Sequence, residues 1–182
     1  MFHAWDGFYL LIGSASAGLI GLMFVVATLM TGTDSERAER GARYYTTPTV
    51  FHLGVVFVLS TLSAVPGLSA PAAGMIIAIC ALAGLAYVGS ITPRIRAGVT
   101  TEPPHWSDVW CYGVAPGLVY LGLGSGATMI WISPSRAPYA VGLLLLALLL
   151  VAIRNAWDLV TWLAPRASRL GADSAASPPG TE

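Results

Sequence analysis

Apolar residues fall into five long blocks, separated by short polar segments that are rich in proline and glycine. The blocks cover positions 7–30, 48–65, 72–92, 109–132 and 137–163. A helix needs roughly 20 apolar residues to cross the hydrocarbon of a bilayer, and each block is near that length, the second being the shortest. Pro66, Pro71, Pro103, Pro104, Pro134, Pro138 and Pro165 lie at block ends, where proline starts or stops a helix. The pattern predicts an all-α polytopic membrane protein: a bundle of five transmembrane helices over residues 1–165. The tail at 166–182 becomes small, polar and proline-containing after Gly171, and disorder is expected there.

Arginine sets the expected orientation. Arg37, Arg40 and Arg43 follow the first block, Arg94 and Arg96 follow the third, and Arg166 and Arg169 follow the fifth. Five crossings put these three segments on one side. The other side has the N-terminus and the two short connections near Pro66 and Pro134, with Arg136 as its only arginine, while Arg154 lies within the fifth block. By the positive-inside rule the N-terminus is expected outside and the C-terminus in the cytoplasm, and an even number of crossings would destroy the asymmetry. The opening MFHAWDGFYLL has no basic segment before its apolar run, so it reads as a retained helix and not as a cleaved signal. In the loop at 34–43, Glu36/Arg40 and Glu39/Arg43 have the i,i+4 spacing of a short solvated helix.

Composition agrees with the pattern. Hydrophobic residues make up 55% of the chain and charged residues 10%, with a mean hydropathy of +0.71. Soluble domains carry about 25% charged residues, so most of this surface is expected to meet lipid. The formal net charge is zero, which gives no reason to expect nucleic acid as a partner. All nine basic residues are arginine. With the abundant alanine and glycine, this fits a bacterial source and hence the inner membrane. Cys80 and Cys111 sit in apolar blocks without a second ligand at metal spacing and read as small hydrophobes.

In lipid, close approach of helices depends on small residues. Gly18 and Gly21 of the first block, Gly84 of the third, and Gly117 and Gly122 of the fourth are the expected packing positions, with Ser14/Gly18 and Ala17/Gly21 at small-xxx-small spacing. The run GLLLLALLLVAI in the fifth block is bulky on all sides. It predicts a peripheral fifth helix around a core of helices one, three and four.

Several motif matches lack their context. Gly122-Leu-Gly124-Ser-Gly126-Ala127 fits a dinucleotide-binding pattern, but it lies inside an apolar block with no βαβ unit around it. Ser125 between two glycines resembles the nucleophile of rhomboid-type intramembrane proteases, yet that chemistry needs a histidine on a later helix and none follows His105. One intramembrane histidine cannot supply both axial ligands of a haem. No cofactor and no metal site is expected, and an enzymatic role has no nucleophile–base pair to support it.

One polar cluster stands out. Arg154, Asp158 and Thr161 recur at i, i+4 and i+7 on one face of the fifth block, next to Asn155. His52, four residues into the second block, is expected at a similar depth from the same side. Ionisable residues inside a crossing are costly and usually face the bundle interior or a wet cavity. His52, Arg154, Asn155 and Asp158 are therefore the candidate ionisable or transport site, at the cytoplasmic mouth. Trp106, Trp110, Tyr112, Trp157 and Trp162 have the placement of an interfacial aromatic belt, against which Arg154 and Asp158 could act simply as anchors. The expected role is a channel- or transporter-like homo-oligomer that passes a small solute or ion. The alternative is a non-catalytic accessory or scaffold subunit whose glycine faces bind other membrane proteins.

Overall fold

The computed structural model describes residues 3–30, 36–97 and 106–176, with side chains described over 4–28, 46–97 and 106–161. The chain is all-helical over these residues. After a 3-10 turn at His3–Trp5 come α1 (Asp6–Met30), α2 (Glu36–Leu62), α3 (Ala70–Arg96), α4 (Trp106–Ile132) and α5 (Ala137–Ala176). Four of them, α1, α3, α4 and α5, are long and apolar enough to cross a membrane, as in a multi-pass membrane protein. In α2 the apolar part is the shorter stretch Thr46–Leu62.

Helix ends depart furthest from the expected ones at three places where a proline is absorbed. Pro48 lies inside α2, which starts twelve residues earlier, at Glu36. Pro93 lies in the last turn of α3, which keeps Arg94 and Arg96 within the helix, where their charge complements its C-terminal dipole. Pro165 lies inside α5, which runs on to Ala176 through much of the expected tail. Each proline removes one N–H and with it one backbone bond, a loss that a long, laterally packed helix tolerates. Residues 177–182 of the tail, and the side chains of the acidic and basic residues at 34–43, lie outside the described residues.

Consecutive helices run antiparallel, and the most extensive contacts are within two pairs: α1 with α2, and α3 with α4. α5 touches α1, α2 and α4, and so joins the two pairs. This reverses the expectation of a peripheral fifth helix. The most apolar stretch of α5 is 44% buried, against 22% for α1. The reason lies in the leucine run itself. Val141, Leu145, Leu148, Leu149, Ala152, Ala156 and Leu159 recur at helical spacing and are all buried, while Leu143, Leu150 and Ile153 face outward. A helix that is hydrophobic all round can fill the centre of a bundle as readily as it can coat its surface.

The glycines divide accordingly. A Cβ on Gly84 would collide with the ring of Tyr120, so this position sets the close approach of α3 and α4. A Cβ on Gly122 would come within 2.6 Å of Leu144 Cδ2, between α4 and α5. Gly117 is looser, with Val88 Cγ1 at 3.7 Å. Gly18 and Gly21 do not pack within the chain: no atom lies within 4 Å of a Cβ at either, and both face outward. On α1 the close approach is made instead by Gly13, against Ser60 of α2 at 3.1 Å. Overpacking costs about 1–3 kcal/mol. Gly84→Leu is therefore expected to lower the thermal stability of the purified protein in detergent, with Gly18→Leu leaving it unchanged. Equal melting of the two variants would contradict this division.

Candidate functional site

Three of the expected site residues come together at the end of the bundle where α2 and α4 begin and α3 ends. Arg154 Nη1 lies 3.6 Å from Asp158 Oδ2, one turn away on α5, and both side chains are partly exposed. Arg154 Nη1 also donates to Asn155 Oδ1 at 3.4 Å. Asn155 itself is fully buried. Its Nδ2 donates to Cys111 O of α4 at 3.0 Å, and Tyr112 Oη donates to Asn155 O at 3.2 Å.

The reason for this clamp lies in the backbone of α4. Residues Trp110–Val114 form one π turn, in which Ala115 N–H bonds to Trp110 O, five residues back. The next donor in that register would be residue 116, which is proline and has no N–H. Cys111 O, the acceptor it would have served, takes the Asn155 amide instead. A carbonyl left unpaired among apolar helices would carry a desolvation penalty, and the Asn155 side chain removes it. Opposite the π turn, the Thr92 hydroxyl of α3, bonded to Val88 O, sits where a Cβ on Gly113 would be, 2.7 Å from it.

His52 is not part of this cluster. It is fully buried and its Nδ1 lies 2.7 Å from Tyr120 Oη, so it meets α4 nine residues beyond Cys111. At ~1.5 Å per residue that separation is roughly 13 Å along the helix. The displacement follows from the helix start: with α2 beginning at Glu36, position 52 lies several turns inside the bundle instead of at its mouth. The backbones of α2 and α4 are not close-packed there, and the long phenol of Tyr120 spans the gap. Around the pair, Phe51 stacks on Tyr87 of α3 with ring centroids 4.2 Å apart, and the His52 ring lies edge-on to Tyr87 at 6.4 Å. Among the described residues, no hydrogen bond or ion pair joins His52 to a carboxylate. Among the described residues its Nε2 has no hydrogen-bond partner, a state shared there by one other buried side-chain atom, Ser60 Oγ.

Of the residues expected to form an aromatic belt, Trp106, Trp110 and Trp157 are exposed at the Arg154 end. Tyr112 is buried in the Asn155 clamp and does not belong to a belt, and the side chain of Trp162 lies outside the described residues. At the opposite end, Tyr9 Oη donates to Pro138 O at 2.7 Å and Trp5 packs edge-on to Tyr139, so the start of α1 is fastened to the start of α5. A groove of about 440 Å³ between α3 and α4 is lined by Ala78, Ala81, Gly124, Ser125 and Thr128 among others. Ser125 and Thr128 each donate their hydroxyl to a carbonyl of their own helix.

The sequence singled out Asn155 for its neighbours and missed its partners. Pro116 within an apolar block was the available signal, because it marks an orphaned carbonyl that a buried amide can satisfy. Asn155→Leu leaves Cys111 O bare and is expected to lower stability by about 1 kcal/mol, the scale of an interhelical hydrogen bond in a membrane. Tyr112→Phe, which removes the second bond, should cost less. Thermal melting in detergent measures both, and an unchanged Asn155→Leu would show that the carbonyl finds another donor.

The chain matches no protein-family model, no curated protein and no solved structure.

Proposed function

We propose that this is a bacterial inner-membrane protein with five crossings, the short apolar part of α2 being the fifth, and that it acts as a channel- or transporter-like homo-oligomer for protons or small ions. The N-terminus is outside and the C-terminus cytoplasmic, on the strength of the arginine distribution. The antiparallel packing of α2 against α1 and α5 supports a crossing for that helix. Arg154, Asn155 and Asp158 then stand at the cytoplasmic mouth, and His52 stands deeper. A single observation carries the reading: a fully buried imidazole within the apolar segment, with one ring nitrogen unpaired. An ionisable group in that position is costly, and membrane proteins characteristically use such groups on ion and proton pathways. Oligomerisation enters because the centre of one chain is filled by Leu145, Leu148, Leu123 and Tyr120, all fully buried.

A second reading rests on a different observation. Ser14, Ala17, Gly18 and Gly21 face outward on α1, at the spacing that lets another helix approach closely. They fit an accessory or scaffold subunit that binds other membrane proteins, and equally the contact between copies of a homo-oligomer.

Ion and proton flux in proteoliposomes tests the first reading. Native protein is expected to conduct, and His52→Ala and Asp158→Asn are each expected to lower the flux at unchanged yield and oligomeric state. No flux under any pH gradient or voltage would favour the accessory role. Gly18→Leu should then abolish co-purification of a partner while leaving topology intact.

A further inference from the structure

Among the described residues, the two buried side-chain polar atoms without partners, His52 Nε2 and Ser60 Oγ, are not scattered. Both belong to α2. Thr49, His52, Val56, Ser60 and Ser63 follow one another at spacings of three and four residues, which places them on a single face of the helix, and all five are buried. This is the face that meets α1, α4 and α5. Gly13 of α1 leaves room for Ser60, and the Ser16 hydroxyl of α1 donates to Leu53 O at 2.6 Å. On the last turn of the helix, Ser63 Oγ donates to Ser60 O at 2.8 Å, which brings a second hydroxyl to the residue that carries the unpaired Ser60 Oγ. Between His52 and Ser60 the face is apolar: Leu53 and Val56 are fully buried, and Leu59 is nearly so. Eight residues separate the two unpaired atoms, roughly 12 Å at ~1.5 Å per residue.

A buried polar group without a protein partner calls for water, and within a membrane polar side chains on an inward face line wet cavities. We propose that the inward face of α2 is a proton path made of two water-accessible recesses, one at Thr49 and His52 and one at Ser60 and Ser63, separated by an apolar plug centred on Val56. Apolar constrictions of this kind gate by excluding water. Protons are the fitting cargo because the recesses offer an imidazole and hydroxyls. Among the described residues they hold no carboxylate that could replace the hydration shell of a metal cation. The titratable groups facing His52 are Tyr120 from α4 and Tyr87 from α3, with Cys80 near Tyr120. Over the residues whose side chains are described, α1 and α5 carry ionisable groups only towards their ends: Asp6 and Tyr9 on α1, and Tyr139, Arg154 and Asp158 on α5. At Nε2 the imidazole takes a proton from a hydronium ion and later returns it to water, so charge and atoms balance without any other reactant.

The inference rests on the conducting role proposed above, and two readouts keep the two separable. Thr49→Cys, Val56→Cys and Ser60→Cys, each in a Cys80→Ala/Cys111→Ala chain that retains its yield, are exposed in proteoliposomes to a membrane-impermeant charged methanethiosulfonate from either side. Ser60→Cys is expected to react from the side of the N-terminus, Thr49→Cys from the opposite side, and Val56→Cys from neither. In parallel, Val56→Ser is expected to raise proton flux severalfold and Val56→Phe to suppress it. Native flux with Ser60→Cys unreactive from both sides, or with flux indifferent to both Val56 substitutions, would overturn the path while leaving conduction standing. Absence of native proton flux would overturn both.

Discussion

Helices surrounded by lipid gain little from hiding apolar surface, so the arrangement of this bundle is governed by which helix can present a close-fitting face to several neighbours at once. α5 does so. Its buried residues fit between the α1–α2 pair and α4, and the two pairs meet each other less extensively, with long side chains reaching across from Tyr120 to His52 and from Phe51 to Tyr87. Two polar positions follow from that bridge. Asn155 reaches α4 because α5 runs alongside it, and the side chain of His52 is buried in the bundle whose centre α5 fills.

The second organising constraint is the satisfaction of polar atoms. The π turn in α4 and Pro116 together leave a carbonyl without a backbone donor, and the chain spends a buried amide on it. Elsewhere the hydroxyls of Thr61, Ser90, Thr92, Ser125 and Thr128 return to carbonyls three or four residues back. Against this background of internal pairing, the two exceptions on α2 stand out, and they lie on the same face.

The all-helical architecture and the approximate course of each helix were legible from the apolar blocks, because length and hydropathy are local properties. Helix ends were less so: Pro48, Pro93 and Pro165 look like punctuation in a sequence, yet each sits within a helix. Depth was lost with them, which is why His52 was expected beside Arg154 and Asp158. The i,i+4 ion pair needed only helical periodicity and was legible. Lateral neighbours were not. A run such as GLLLLALLLVAI carries no mark of which side faces protein, and Gly18 and Gly84 look alike in the sequence although one faces outward and the other receives the Tyr120 ring.

The fastening of Tyr9 to Pro138 joins the first helix to the last. During synthesis α1 emerges long before α5 exists, and until then Tyr9, Trp5 and Phe8 lack the surface on which they finally rest. The α1–α2 and α3–α4 pairs are held by contacts between consecutive helices and can form before α5 exists. The face that α5 covers on each pair stays open until then. Synthesis that stops short of Ala137 would therefore release two helix pairs whose inward faces lack their shared partner.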